Sequence, residues 1–530
     1  MKNSLFFKSS LATLVASGLS VCAQQHKSPN IILIMTDDMG YSDIGCYGGE
    51  IPTPNIDYLA KNGIRYTRFY NTGRSCPTRA SLLTGLYPHQ AGIGGMSEDP
   101  GSNKNAEKGD EKPFGYKGFL NHNCVTIAEV LKEAGYHTYM TGKWHLGMHG
   151  MDKWPLQRGF EHFYGILSGA TNYFRPGGGR GLTLDNSNLP SPQPPYYTTD
   201  AFTDHAVRFI DSCKDDQPFF LYLAFNAPHW PLQAKDEDIE KFVGKYETGW
   251  EDIRNKRLQR MIELGLVKKE WGMAEWESRK WSDLSEKEKH DMALRMSVYA
   301  AQISAVDENV GKLLDCLKEQ NRIENTLIVF LSDNGACAEP HNETGSGTVE
   351  DINNTNSWNQ PSYGLPWAQV SNTPYRKYKI RAYEGGISTP LILSWPAQFS
   401  GYNHQIRDNV GFLPDIMATF VDAANAKYPE TYHDGQPIFP MEGSSLLPTA
   451  ANRNVVLHEY IFGEHFNNCY VRWKNWKAVK DEKSSVWELF DMDNDRTERN
   501  DLAQTYPEVL KNMTVKWDKW ANDHFVYPKK

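Results

Sequence analysis

Three stretches of this chain are apolar at nearly every position rather than at every second one. They are Asn30-Ile-Ile-Leu-Ile-Met-Thr36, Phe219-Phe-Leu-Tyr-Leu-Ala-Phe225 and Leu327-Ile-Val-Phe-Leu-Ser332. Continuous apolarity over so few residues predicts strands covered on both faces, as in a parallel sheet. Pro390–Trp395 predicts a further strand and His137–Met140 a short one. Helical patterning lies between them. Thr126-x-x-Glu129 is a capping box, Ile127, Val130, Leu131 and Ala134 form one apolar face, and Gly135 ends the helix. Met296–Leu317 predicts a core helix, with Tyr299, Ile303, Val306 and Val310 on one side. The charged stretch from Ala234 to Met296 reads as a solvated helical insertion, because acids and bases alternate in it. Beyond about Pro448 the pattern becomes short alternating runs: Val455–Tyr460, Tyr470–Trp473, Trp476–Val479 and Trp487–Asp491. The whole is an α/β chain with a smaller antiparallel sheet and a terminal helix at its end.

The polar residues that follow these strands are chemically loaded. Asp37-Asp38 follows the first run and Asp333-Asn334-Gly335 the last. Ligands of open α/β sheets bind beyond the carboxyl ends of strands. Adjacent carboxylates there repel unless a cation lies between them. Oxygen donors with no His or Cys suit Ca²⁺ or Mg²⁺ rather than zinc. Lys143 and His145 sit two apart on a loop after the short strand, and His229 stands between Pro228 and Pro231 after the third run. Ser75-Cys-Pro-Thr-Arg79-Ala-Ser-Leu-Leu-Thr-Gly85 puts Ser75 just before a helix start, where Pro77 fits the first turn and negative charge is favoured. Arg79, one turn on, can reach back to it. Taken singly, each has a plainer reading: a capping serine, a turn aspartate, a surface loop, a core histidine.

Composition narrows the partners. A net charge of −9 over 530 residues excludes a general nucleic-acid binder, so an anionic substrate has to be met by local cations. Lys2 and Lys8, then the apolar stretch Leu11–Val21, then Val21-Cys22-Ala23 form the pattern of an export signal over residues 1–23. The expected destination is the periplasm; a lipoprotein anchored through Cys22 is the alternative. No other segment is apolar enough to cross a bilayer. The cysteines have no metal or redox spacing and are expected to be mostly buried thiols, with one disulfide possible.

Ser75-x-Pro77-x-Arg79 followed by Ala-Ser-Leu-Leu-Thr-Gly resembles the signature of the type I sulfatases. The resemblance continues through Asp37-Asp38, Gly142-Lys143-x-His145, His229, Asp333-Asn334 and Glu384-Gly385-Gly386, in the family's order. Lys245-Tyr-x-x-Gly-Trp250 and Arg254-x-x-Arg257 are similar to its arylsulfatase branch. The resemblance implies an alkaline-phosphatase-like large mixed sheet flanked by helices over residues 24–448. It also implies a smaller α+β subdomain on a short antiparallel sheet over 449–530. It implies that Ser75 is oxidised to formylglycine by a serine-oxidising maturation enzyme. It assigns Asp37, Asp38, Ser75, Asp333 and Asn334 to a divalent metal, calcium before magnesium. Counting five residues back from Glu384-Gly-Gly gives Lys379 as a sulfate contact, with Lys377 competing.

The activity implied is hydrolysis of a sulfate monoester, on a sulfated carbohydrate or an aryl sulfate. In that scheme Arg79 holds the hydrated aldehyde, and Lys143 and Lys379 neutralise sulfate oxygens. His229 protonates the leaving oxygen, and His145 helps release sulfate. Two other classes share these residue types: a phosphomonoesterase or phosphodiesterase of the alkaline phosphatase superfamily, and a non-catalytic sulfated-glycan binder. His122, Arg175, Arg180 and His341 are candidate sugar contacts, and the glycine-rich loop at Gly177–Arg180 is a candidate for the pocket mouth.

Overall fold

The computed structural model describes residues 28–97, 112–213, 217–340, 348–356 and 361–527. The expected export signal and His341 lie outside these residues. The apolar runs pair as one large mixed sheet. From edge to edge its strands are Gln405–Arg407, Gly63–Tyr70, Ser388–Ser394, Thr326–Ser332, Asn30–Thr36, Phe219–Ala224, His137–Lys143, His162–Ile166, Leu182–Leu184 and Ser187–Asn188, with Gly411–Phe412 also paired to Gly63–Tyr70. The five strands from Thr326–Ser332 to His162–Ile166 are parallel. Ser388–Ser394 is antiparallel to both its neighbours.

Both faces of the central strands are dry, which is why their sequences do not alternate. Ile32, Ile34, Leu221, Leu223, Ile328 and Phe330 pack into one core layer. Ile31, Leu33, Met35, Phe220, Tyr222, Leu327 and Val329 pack into the other. The long helix Glu286–Glu319 covers the first layer, and helices Ser75–Thr84, Ile127–Glu133 and Pro414–Ala424 cover the second. The Thr126–Glu129 capping box closes as expected.

Four expectations need correction. The core helix starts ten residues before Met296, because Ser285 and Glu288 form a second capping box ahead of a charged first turn. The strand expected at His137–Met140 runs on to Lys143. The strand expected at Val455–Tyr460 instead covers Tyr460–His465. The charged insertion is not simply solvated: in helix Trp250–Glu263, residues Trp250, Ile253, Arg254, Arg257 and Met261 are buried. Arg257 is paired inside the protein with Asp43 and Glu50, so alternation of sign did not mean exposure.

After the large sheet come four antiparallel strands, Tyr460–His465, Asn468–Trp473, Trp476–Lys480 and Trp487–Asp491, and helix Pro507–Asp523. Their core joins Trp517 and Trp520 to Tyr70 of the larger sheet and to Tyr383 and Ile387, which precede its Ser388–Ser394 strand. Among the described residues all seven cysteines are buried thiols outside any disulfide.

Candidate active site

Strand direction brings the candidate residues to one edge. The parallel central strands deliver Asp37-Asp38, Asp333-Asn334, Lys143 and the His229 turn from their carboxyl ends. Gly63–Tyr70 runs the same way and leads to Ser75. Ser388–Ser394 runs the other way, so the loop before it, carrying Lys379, reaches the same edge.

Ser75 is the first residue of its helix rather than the residue before it, so the helix starts one position earlier than expected, with Arg74 as its N-cap. Arg79 Nε donates to Ser75 Oγ at 3.1 Å, and its Nη2 reaches Asp333 Oδ2 at 3.2 Å. The Lys143 carbonyl and the Tyr222 hydroxyl accept from Nη1 and fix the fork. Lys143 Nζ donates to Asp37 Oδ2 at 2.7 Å. Lys379 Nζ donates to Asp38 Oδ2 at 2.8 Å, whereas Lys377 turns outward to Glu277. Asp38 N donates to Asp333 Oδ1, tying the two strand ends together. Asn334 Nδ2 donates to Asp38 Oδ1 at 2.7 Å.

Three of the surrounding backbones are strained. Asp38, His145 and Ile380 have φ of 66°, 57° and 79°, a region that side chains disfavour and branched ones most of all. Such residues cost roughly 1–3 kcal/mol each and persist only where neighbours over-determine them. Ile380 N is held by the Gly73 carbonyl at 2.7 Å, and Tyr299 Oη lies 3.5 Å from the Asp38 carbonyl. Gly335 and Gly386 let two loops touch through the backbone: a Cβ on Gly335 would lie 1.8 Å from the Gly385 carbonyl oxygen.

Charge is balanced but fully buried. Three carboxylates, Asp37, Asp38 and Asp333, face three cations, Arg79, Lys143 and Lys379. Burial raises every carboxyl here. At Asp38 the Lys379 charge, with the His229 ring beside it, outweighs burial, and at Asp333 the charges of Arg79 and Lys143 do, so both fall below the ordinary range. Asp37 stays well above that range, because burial and the two neighbouring aspartates exceed what Lys143 offsets. Burial also lowers Lys143, and it pushes His145 well below its usual value with help from Lys143 and Arg79.

Asp37 Oδ1 and Asn334 Oδ1 are buried without a hydrogen-bond partner. An unmet buried acceptor costs about 1–3 kcal/mol. Hard oxygens left open among three buried carboxylates are the donors a Ca²⁺ or Mg²⁺ ion uses, so the residues fit such an ion. Among the described residues one group of three metal-capable side chains lies close enough to share an ion: Asp37, Asp38 and His229. His229 was not expected there. Its Nδ1 faces its own chain at the Trp230 carbonyl, 2.6 Å away, and its Nε2 faces Lys379 and Asp38, each at 3.4 Å. Tyr173 Oη donates to the Asn226 and His229 carbonyls and holds that turn.

The expected sugar contacts fare differently. His122 is engaged with Asp434, and Arg180 donates to the Ala170 carbonyl. Arg175 lines a separate cavity of about 670 Å³ with Phe174, Tyr196 and Tyr197. The site has contributors that sequence reasoning passed over. Tyr222 and Tyr299 anchor the ligand loops. Arg74 pairs with Glu339 at 2.6 Å beside Lys379. Arg74 had a signal, since it directly precedes Ser75; Glu339 had none.

A sulfatase family model matches residues 29–426, and a model for the C-terminal part of N-sulphoglucosamine sulphohydrolase matches 376–523. An arylsulfatase of Klebsiella aerogenes is 35% identical, covering 82% of this chain and 94% of its own. An uncharacterized sulfatase of Schizosaccharomyces pombe is 34% identical and covers 93% of each chain. Among solved structures, Ps i-CgsB in complex with k-i-k-neocarrahexaose superimposes with a TM-score of 0.68 at 29% identity, covering 94% of this chain and 93% of its own. Agreement on this scale, over a site whose cations and carboxylates converge as described, leaves one conclusion: the chain belongs to the sulfatase family and is a sulfuric ester hydrolase.

Proposed function

We propose that this enzyme hydrolyses O-sulfate monoesters of carbohydrates, and aryl sulfates besides, after oxidation of Ser75 to formylglycine. The observation that carries the reading is the shared Arg79 fork. One guanidinium holds Ser75 Oγ and Asp333 together, with Lys143 and Lys379 on the adjoining aspartates. The carbohydrate preference is supported by the neocarrahexaose complex of the structural neighbour, and the aryl activity by the arylsulfatase relative.

Asp37, Asp38, Asp333 and Asn334 would hold one Ca²⁺, or less favourably Mg²⁺, with Ser75 completing the set. When bound, the ion supplies Lewis acidity that lowers the pKa of a nearby hydroxyl and withdraws charge from sulfate. The hydrated aldehyde supplies two hydroxyls, one to attack sulfur and one whose deprotonation expels sulfate; a plain serine lacks the second. Arg79 orients the hydroxyl it already holds. Lys143 and Lys379 neutralise charge on sulfate oxygens in the transition state. His229 manages the proton of the departing oxygen, and neutral His145 accepts the proton that frees sulfate. Residues 1–23 support export to the periplasm.

Co-expression with a serine-oxidising maturation enzyme tests this. The Ser75 peptide should lose two hydrogens by mass. Sulfate release should scale with the converted fraction, vanish in Ser75→Ala, and be lost to a chelator and restored by Ca²⁺. Full activity from unconverted serine would overturn the reading.

A further inference from the structure

The buried cluster opens toward solvent on one side. Lys379 and Asp38 side chains are 2% and 1% exposed, but Arg74 and Glu339 are 17% and 24%. Arg74 Nη1 donates to Glu339 Oε1 at 2.6 Å, and Trp230 Nε1 donates to Glu339 Oε2 at 3.1 Å. Lys379 Nζ lies 3.8 Å from the same oxygen. Trp230 is half-buried and adjoins His229, its ring 5.0 Å from the imidazole. A leaving group handled by His229 therefore meets the Trp230 indole and an ion pair as its next neighbours.

A carboxylate is out of place in a pocket built to attract anions. Burial raises the Glu339 carboxyl, yet Lys379 and Arg74 hold it well below the ordinary range, so it is ionised. Its charge neutralises Arg74, and the outer rim offers no net attraction to a second anion. A carboxylate beside a guanidinium presents paired acceptors and donors, which suits hydroxyl groups. An aromatic face beside them suits the apolar face of a sugar ring.

Resting on the proposed sulfatase reading, we propose that Arg74, Glu339 and Trp230 form the leaving-group subsite, and that it selects a neutral, hydroxylated ring bearing one sulfate over one bearing a second anionic group. Glu339 is the selecting element: it accepts from hydroxyls and repels a second sulfate or carboxylate. Arg74 serves as its counter-ion and as a hydroxyl donor.

The probes are a methyl hexoside monosulfate and its disulfated counterpart, with nitrophenyl sulfate as a control. Converted wild-type enzyme should favour the monosulfate. Glu339→Gln should raise the disulfate-to-monosulfate ratio of kcat/KM by about tenfold or more, because it releases Arg74, whereas Arg74→Met should lower it. Taking a ratio cancels effects on the shared sulfate contacts. A wild-type preference for the disulfate, or ratios unchanged within about twofold in whichever variants keep the wild-type melting profile, would overturn the inference. Loss of turnover on every substrate, nitrophenyl sulfate included, would instead sink the catalytic reading. The binding ratio of the two hexosides on unconverted protein would then still decide the subsite.

Discussion

The tautomer of His229 follows from its neighbours. A carbonyl only accepts, so the 2.6 Å contact with the Trp230 carbonyl places the hydrogen on Nδ1. Nε2 then holds a lone pair and accepts from the Lys379 ammonium. Burial, with Lys379 and Lys143, lowers this ring to about 3 against the pull of Asp38. The free enzyme therefore carries a neutral His229, and in the acid role proposed for it a proton would have to arrive at Nε2 from its Lys379 side. Leaving groups differ in how much they need it. His229→Ala should slow release of a sugar alcohol by about a hundredfold or more, the range of general acid catalysis, and release of nitrophenolate far less. Comparing kcat/KM over leaving groups of graded acidity checks this; equal losses on all of them would remove the acid role.

At the scale of elements, the charged insertion turns out to be a strut. Arg257 on helix Trp250–Glu263 forks onto Glu50 at 2.7 and 2.8 Å and reaches Asp43 Oδ1 at 2.6 Å. Tyr299 from the long helix donates to the other Asp43 oxygen. This network pins the turn that follows Asp38, and so helps hold Asp38 in its strained conformation. Breaking a buried pair by deleting one partner typically costs about 3–5 kcal/mol. Arg257→Met should lose stability on that scale in chemical denaturation, and adding Asp43→Asn should recover part of it. Without such recovery, the loss would be one of packing rather than of charge.

At the scale of the whole molecule, four buried charges join the C-terminal sheet to the catalytic edge. Lys477 Nζ contacts Glu384 and Glu498 at 2.9 and 2.7 Å, and Arg496 holds Glu384 at 2.8 Å. The Glu384 amide donates to Glu498. Arg376–Glu488 and Arg381–Glu482 clamp the same loop on either side of Lys379. The C-terminal sheet thus sets where Lys379 stands, and Lys477→Met should lower both the melting point and kcat/KM.

The same cluster predicts a pH dependence. Burial raises Glu498 from 4.5 to about 7, Lys477 opposing and Glu384 reinforcing it. The native state then binds more protons than the unfolded one between these values, so its contribution is full below pH 4.5 and is lost as pH rises through about 7. Glu498→Gln should flatten the fall in melting temperature across that window. An unchanged slope would assign the dependence to other groups.

Much of the site was legible because its members stand next to strands that betray themselves. Asp37-Asp38 and Asp333-Asn334 follow unbroken apolar runs, and Arg79 lies one helical turn after Ser75. Glu339 carried no local signal, and the patterns that marked Tyr299 and Arg257 did not give their partners, because each works through residues far away along the chain. The start of the long helix was readable at Ser285-x-x-Glu288 and was masked by the charged turn behind it.

The amino-acid order by itself determined the buried strands, their polar ends, the helix that presents Ser75 and the family these motifs mark, because each depends on neighbours within a turn or a strand. Only the tertiary structure decided which lysine meets Asp38, which way the His229 ring faces, and that a glutamate stands between Arg74 and Lys379. Those outcomes are set by strand direction and by charge pairing in a dry interior, where an ion's state depends on whatever the fold carries to its side.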